Sequence, residues 1–341
     1  MKTAIRSVCV VSGLGMGSVA IAQETLPETH FQVIGNHSTN NTYKMGEEPF
    51  WTEVVPEESG GQITADLTPL DASGLKGPEI LRLMKLGSLQ FATGVLAYMA
   101  GDNSEFLAVD LPGFSNTLDQ TREYAATFRP LWQSIAADQY DAKILALFPS
   151  PPQVFWCKPE IGGLNDLKGL KIRVSTVAQA EMVSEFGGAT VNTPFPEVPT
   201  ALERGVIDCG VTGTLAGNLA NWHEVTEYLY PMTMGWSLQF IAVNASYWDA
   251  LDPAVQDFMS SQYASLEETL WNIIAEDVNQ GIECNIGGEG CTRGNKADMV
   301  LVEVSDEDAA RQEAILNEQI IPDWLEQCSE ECRELFASID R

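Results

Sequence analysis

Three prolines in four residues, Pro149-Ser150-Pro151-Pro152, interrupt the middle of the chain. Proline fixes φ and removes a backbone donor, so neither a helix nor an inner strand can run through this stretch. On each side of it, short apolar or alternating runs are interleaved with runs of helical period. Upstream, strands are predicted at His30–Ile34, Gln62–Leu67, Ser88–Ala92 and Ala142–Phe148, with helices around Phe50–Val55, Pro78–Leu86 and Thr117–Gln139. Downstream, strands are predicted at Gln153–Cys157, Leu170–Val174 and Val206–Thr212, with helices at Ala178–Phe186 and Val198–Arg204. Such alternation implies an α/β class with mostly parallel sheets, built here as two lobes.

The chain is read as returning to the first lobe at Leu238–Asn244. Asp252-Pro253 then opens a helix, with Asp as N-cap and Pro in the first turn. Val255, Phe258, Tyr263, Leu266, Leu270, Ile273, Ile274 and Val278 recur at three- and four-residue spacing until Gly281, the expected stop. About 28 residues at 1.5 Å each give roughly 42 Å, enough to bridge both lobes. The acidic tail Asp306–Ser338 is predicted mostly helical. The expected division is 1–22 as an export segment, 23–149 with about 237–280 as one lobe, and 150–236 with about 281–341 as the other.

Charge narrows the function. Against 48 Asp and Glu stand 19 Lys and Arg, a formal net charge of −29. A nucleic-acid binder needs a cationic footprint, and an anionic membrane surface would repel this chain. Lys2 and Arg6 precede an apolar stretch from Val8 to Val19 and the small-x-small site Ala20-Ile21-Ala22. This pattern reads as a secretory signal cleaved after Ala22, so the expected location is periplasmic. Cys9 lies inside the apolar stretch, not at the cleavage point, so a lipid anchor on it is not expected.

Six cysteines follow: Cys157, Cys209, Cys284, Cys291, Cys328 and Cys332. An even number in an exported chain points to disulfides. Cys284 and Cys291 flank a Gly-rich loop and are the first expected pair. Cys328 and Cys332 are one helical turn apart, a spacing within disulfide reach but uncommon inside a regular helix. Cys157 and Cys209 remain as the third pair, and the connectivity is left open.

Signatures of catalysis are missing. There is no G-x-S-x-G, P-loop, G-x-G-x-x-G or H-E-x-x-H, and there are three histidines in all. No metal or cofactor site is expected. His30 opens a strand and His223 lies near a helix end. His37 follows the first strand, where open α/β sheets commonly meet ligands.

The middle of the chain carries a resemblance. Leu164-Asn165-Asp166-Leu167-Lys168-Gly169-Leu170-Lys171-Ile172-Arg173-Val174, then Gly188-Ala189, Pro194-Phe195-Pro196-Glu197-Val198 and Ala201-Leu202-Glu203-Arg204-Gly205-Val206-Ile207-Asp208 resemble the DctP-like binding proteins of TRAP (tripartite ATP-independent periplasmic) transporters. Gly60-Gly61-Gln62-Ile63 and Leu86-Gly87-Ser88-Leu89-Gln90-Phe91 match too, and the resemblance spans about Phe31 to Phe258. It implies a non-enzymatic two-lobe clamp closing on an organic acid, with small and large membrane subunits as partners. It also implies that Arg173 grips the ligand carboxylate, since a planar guanidinium makes two charge-assisted bonds that lysine cannot copy.

Two departures shape the expected ligand. Many members carry a second Arg 20 residues earlier, where this chain has Gln153; many carry Asn where it has Thr212-Gly213-Thr214. Phe155, Trp156, Phe195 and Trp236 lie near these positions, and His37 and Thr93 complete the candidate ligand-binding set. One arginine among rings leads to the expectation of an aromatic or other apolar monocarboxylate, with a sugar acid or C4-dicarboxylate, or an exported enzyme on a similar scaffold, as the alternatives.

Overall fold

The computed structural model describes residues 26–339. The export segment expected at 1–22 lies outside them. Apolar β-runs pair into two sheets, one on each side of the proline-rich crossing. The first orders its strands β2-β1-β3-β10-β4, from β1 (Thr29–Gly35), β2 (Ile63–Pro69), β3 (Phe91–Val95), β4 (Ala142–Phe148) and β10 (Gln239–Asn244). The second runs β11-β9-β5-β8-β6-β7, from β5 (Gln153–Cys157), β6 (Lys171–Val174), β7 (Ala189–Asn192), β8 (Cys209–Gly213), β9 (Tyr228–Tyr230) and β11 (Val300–Leu301).

The sheets are mixed, not mostly parallel. β1 pairs parallel with β2 and β3, but β10 is antiparallel to β3 and β4; β5 is antiparallel to β8 and β9. The cause is the double crossing. Strands made by βα units end at the cleft, whereas a strand entered from the other lobe must begin there. β5 begins right after Pro152, and β10 begins after the return segment Pro231–Leu238. β3 starts at Phe91 rather than Ser88 because its ladder with β10 opens at Phe91↔Val243. The short strands β7, β9 and β11 escaped the sequence reading; four residues or fewer carry no resolvable period.

The long helix runs Pro253–Asn285, 33 residues, or about 50 Å. The Asp252 side chain caps it by accepting from the Ala254 N–H. Its buried stripe, Val255, Met259, Tyr263, Leu266 and Leu270, packs on the first sheet with Phe31, Trp51 and Phe91. Tyr263 stacks on Phe91 at 6.1 Å. Gly281 does not end the helix. A Cβ there would lie 2.0 Å from Thr214 Oγ1, so this glycine permits close approach of the helix Thr214–Leu219 to the long helix. Residues 282–285 continue the hydrogen-bonded turns until Asn285, whose amide bonds the Thr214 and Gly281 carbonyls.

Three disulfides form: Cys157–Cys209, Cys284–Cys291 and Cys328–Cys332. Cys157 and Cys209 face each other on β5 and β8, with Cα atoms 4.1 Å apart. Cys328 and Cys332 avoid the geometry of a regular helix because one helix ends at Gln327, Cys328 is extended, and Ser329 caps the next. The acidic tail is helical as expected and touches both lobes. Asp308 accepts from the Tyr230 hydroxyl of the second sheet, while the Trp324 indole donates to Ser104 O beside the first. Among the described residues, no helix is long and apolar enough to cross a membrane.

Candidate functional site

Where the two sheets face each other, strand ends converge on a small cavity of about 60 Å³ that opens into a groove of about 620 Å³. Ends of parallel strands are where open α/β sheets expose side chains and unpaired backbone. Asn36, Thr93 and Gln239 come from the first sheet; Gln153, Arg173 and Thr212 come from the second.

Arg173 sits on β6 in the run Lys171-Ile172-Arg173-Val174, exposed at only 4 %. Its Nε donates to Thr193 O at 3.0 Å and its Nη1 to Val211 O at 2.8 Å. The guanidinium lies 5.9 Å from the Trp222 ring centre, a cation–π distance. From the opposite lobe, Tyr98 lines the same cavity. No described carboxylate ion-pairs with it. Burial draws its pKa below the ordinary arginine value, and Tyr98 partly opposes this. A buried cation held by two carbonyls, with no counter-ion among the described residues, is a strong seat for an incoming anion.

His37, Thr93, Gln153, Phe195 and Thr212 reach this cavity together with Arg173. The His37 ring contacts Phe195 across the cleft at 5.4 Å and lies 3.8 Å from Asp71. Its pKa is lowered, chiefly by burial; Asp71 raises it and Arg173 lowers it further. Burial thus favours the neutral imidazole. Gln153 turns its amide N–H back to Pro151 O at 2.9 Å.

Five named residues stand elsewhere. Phe155 packs against Tyr230 and Phe186 in the main core, at 6.2 and 6.5 Å. Trp156 packs on Trp222 at 6.1 Å and donates to Thr212 O. Both lie two or three residues inside β5, beyond its cleft end at Gln153. Trp236 belongs to the return crossing, its indole donating to Ser115 O at 2.9 Å. Thr214 is turned to the long helix, and Gly213 abuts Pro151 O and Gln153. Of the four rings expected around the ligand, Phe195 alone lines the cavity.

The sequence reading missed Asn36, Asn40, Tyr98, Ser150 and Gln239, all on the cavity wall. Asn36 directly follows β1 and directly precedes His37, so the position after the first strand that pointed to His37 also holds Asn36. It also missed Glu47, 1 % exposed behind the wall. Glu47 Oε2 accepts from Asn36 N and from Thr93 Oγ1, each at 2.9 Å. Burial drives its pKa up to about 7, against the pull of these two donors. Two π-helical turns, Tyr43–Glu47 and Phe50–Val54, shift the helical phase here, so no 3.6-residue pattern marks Glu47 as inward-facing. Among the described residues, no group of three or more His, Cys, Asp or Glu could hold a metal.

Comparison with known proteins follows the same outline. A curated solute-binding protein of Roseobacter denitrificans is 26% identical over 266 residues, which cover 76% of this chain and 79% of the relative. The fold matches a Bordetella pertussis extracytoplasmic solute receptor, DctP6, binding pyroglutamic acid (TM-score 0.82, 22% identity, 91% and 98% of the two chains). It also matches a TRAP periplasmic solute-binding protein of Shewanella oneidensis with bound succinate (TM-score 0.79, 17% identity, 91% and 98%). The profile of bacterial extracellular solute-binding protein family 7 matches residues 34–317, both lobes and the long helix included, and the chain belongs to that family, DctP.

Proposed function

We propose that the protein is the extracytoplasmic receptor of a TRAP transporter, that it captures a compact organic monocarboxylate on Arg173, and that it hands this acid to small and large membrane subunits. The observation that carries this reading is the buried, uncompensated Arg173 guanidinium at a cavity between two lobes. The acid belongs there because the inner cavity holds no second lysine or arginine: Gln153 is an amide, and burial lowers the His37 pKa. A second carboxylate would be desolvated without a partner. Asn36, Asn40, Ser150, Thr212 and Gln239 instead match hydroxyl, carbonyl or amide groups on the ligand. The protein works by binding, in the periplasm after removal of 1–22. The clamp halves are 23–149 with 237–280 and 150–236 with 281–341, and the tail rests on both.

A second reading has one supporting observation. The outer groove is lined by Leu75, Pro78, Tyr98, Pro194 and Phe195, so an apolar or aromatic monocarboxylate could seat its ring there. With Phe155, Trp156 and Trp236 in the core, that reading rests on the groove alone. Calorimetry on hydroxy- and amido-monocarboxylates, benzoate- and indole-type acids, succinate, malate and uronates separates the two. Compact polar monocarboxylates are expected to bind best, with a smaller radius of gyration by solution scattering once ligand closes the lobes. Preference for diacids would overturn the single-carboxylate reading. Gln153→Arg is expected to weaken the native acid and to admit succinate.

A further inference from the structure

Tyr98 belongs to neither departure noted in the sequence, yet it occupies the boundary of the site. It lies on the short 3-10 turn Leu96–Met99, immediately after β3. It lines both the inner cavity and the outer groove, as do Arg173 and Phe195. Its ring packs against Gly77: a Cβ at that position would lie 2.5 Å from Tyr98 Cε2. Glycine there leaves room for the ring, so that Tyr98 faces the cavity from the first lobe while Arg173 lines it from the second.

We propose that Tyr98 closes the carboxylate seat and sets the size of acid that the inner cavity accepts, an inference that rests on Arg173 being that seat. In this seat the phenol, across the same cavity from Arg173, donates its proton to a carboxylate oxygen of the ligand. Neither backbone bond of the guanidinium uses Nη2, so the carboxylate is held by that nitrogen and by the phenol together. A hydrogen bond from a neutral donor to an ionised acceptor is among the stronger ones. The ring meanwhile forms the partition between chamber and groove. Head group and tail are thus sorted by one side chain: polar atoms inside, anything larger outside.

Two substitutions separate the hydroxyl from the ring. Tyr98→Phe keeps the partition and removes the proton; affinity for compact monocarboxylates is expected to fall about tenfold or more, equally across acids of similar size. Tyr98→Ala removes both; compact acids lose affinity while bulkier acids, such as phenylacetate, gain on them by at least tenfold. A purely structural role would lower binding of both sizes in parallel, and that result overturns the inference. So does Tyr98→Phe with unchanged or tighter binding. Arg173→Ala on the same panel is the control. If wild-type protein binds no monocarboxylate, the proposed function falls and this inference with it. If wild-type binds, Arg173→Ala does not, and the Tyr98 variants match wild-type, the inference alone falls.

Discussion

Arg173→Ala lowers affinity for the ligand at least a hundredfold. The guanidinium is 4 % exposed and ion-pairs with no described carboxylate, so the bound acid would be its counter-ion. Truncating one partner of a buried ion pair leaves the other desolvated and alone, at a cost of about 3–5 kcal/mol. Every 1.4 kcal/mol is tenfold in the dissociation constant, so two to three decades are expected. Arg173→Lys is predicted to recover little of this. Lysine cannot donate to both Thr193 O and Val211 O and still present a fork to the carboxylate. The measurement is titration calorimetry with the best monocarboxylate of the panel. Circular dichroism of the same samples shows that the variant is folded. An alanine variant binding within threefold of wild type would remove Arg173 from the site.

Much of the scaffold was legible because each element announces itself locally. Proline at 149, 151 and 152 marks the crossing, and Asp252-Pro253 marks the start of the long helix at the residue where it begins. Arg173 was found through an ordered run of motifs rather than through burial. What stayed hidden depends on contacts distant in sequence. Gly281 looks like a stop and acts as a spacer, because the residue that needs the space, Thr214, is 67 positions earlier. Phe155 and Trp156 were drawn to the ligand by their closeness to Gln153 in sequence. On a strand buried on both faces, a step of two residues leads from the cleft into the core. Tyr98 and Glu47 follow the same rule in reverse, reaching the site through a 3-10 turn and a π turn that no hydrophobic period encodes.

Glu47→Gln makes the protein more stable at pH 8 and leaves it nearly unchanged at pH 4.5. The Glu47 carboxyl is fully buried behind Asn36 and Thr93, and its pKa rises from 4.5 to about 7, with desolvation as the largest cause. No described cation ion-pairs with it; Tyr43 and Tyr263 also feel its charge, which raises both phenols in addition to their own burial. The sign follows from proton counting. Between pH 4.5 and 7 the folded chain holds a proton that the unfolded chain has released, so stability falls as pH rises through this window. The neutral form is favoured fully below pH 4.5, and the penalty is complete above pH 7. A rise from 4.5 to about 7 corresponds to roughly 3 kcal/mol. Glutamine keeps an acceptor for Asn36 N and Thr93 Oγ1 and brings no charge. Its amide can also serve the side of Glu47 where Oε1 lacks a partner, as does the Tyr263 hydroxyl. Asp110, buried and raised to about 6, adds a similar slope in both proteins, so the difference between them isolates Glu47. Thermal melts of both proteins from pH 4.5 to 8 at fixed ionic strength measure it. The melting temperatures are expected to coincide at the acidic end and to separate by several degrees, in favour of glutamine, by pH 8. Parallel curves across the range would mean that Glu47 titrates at its ordinary value and is hydrated in the folded protein.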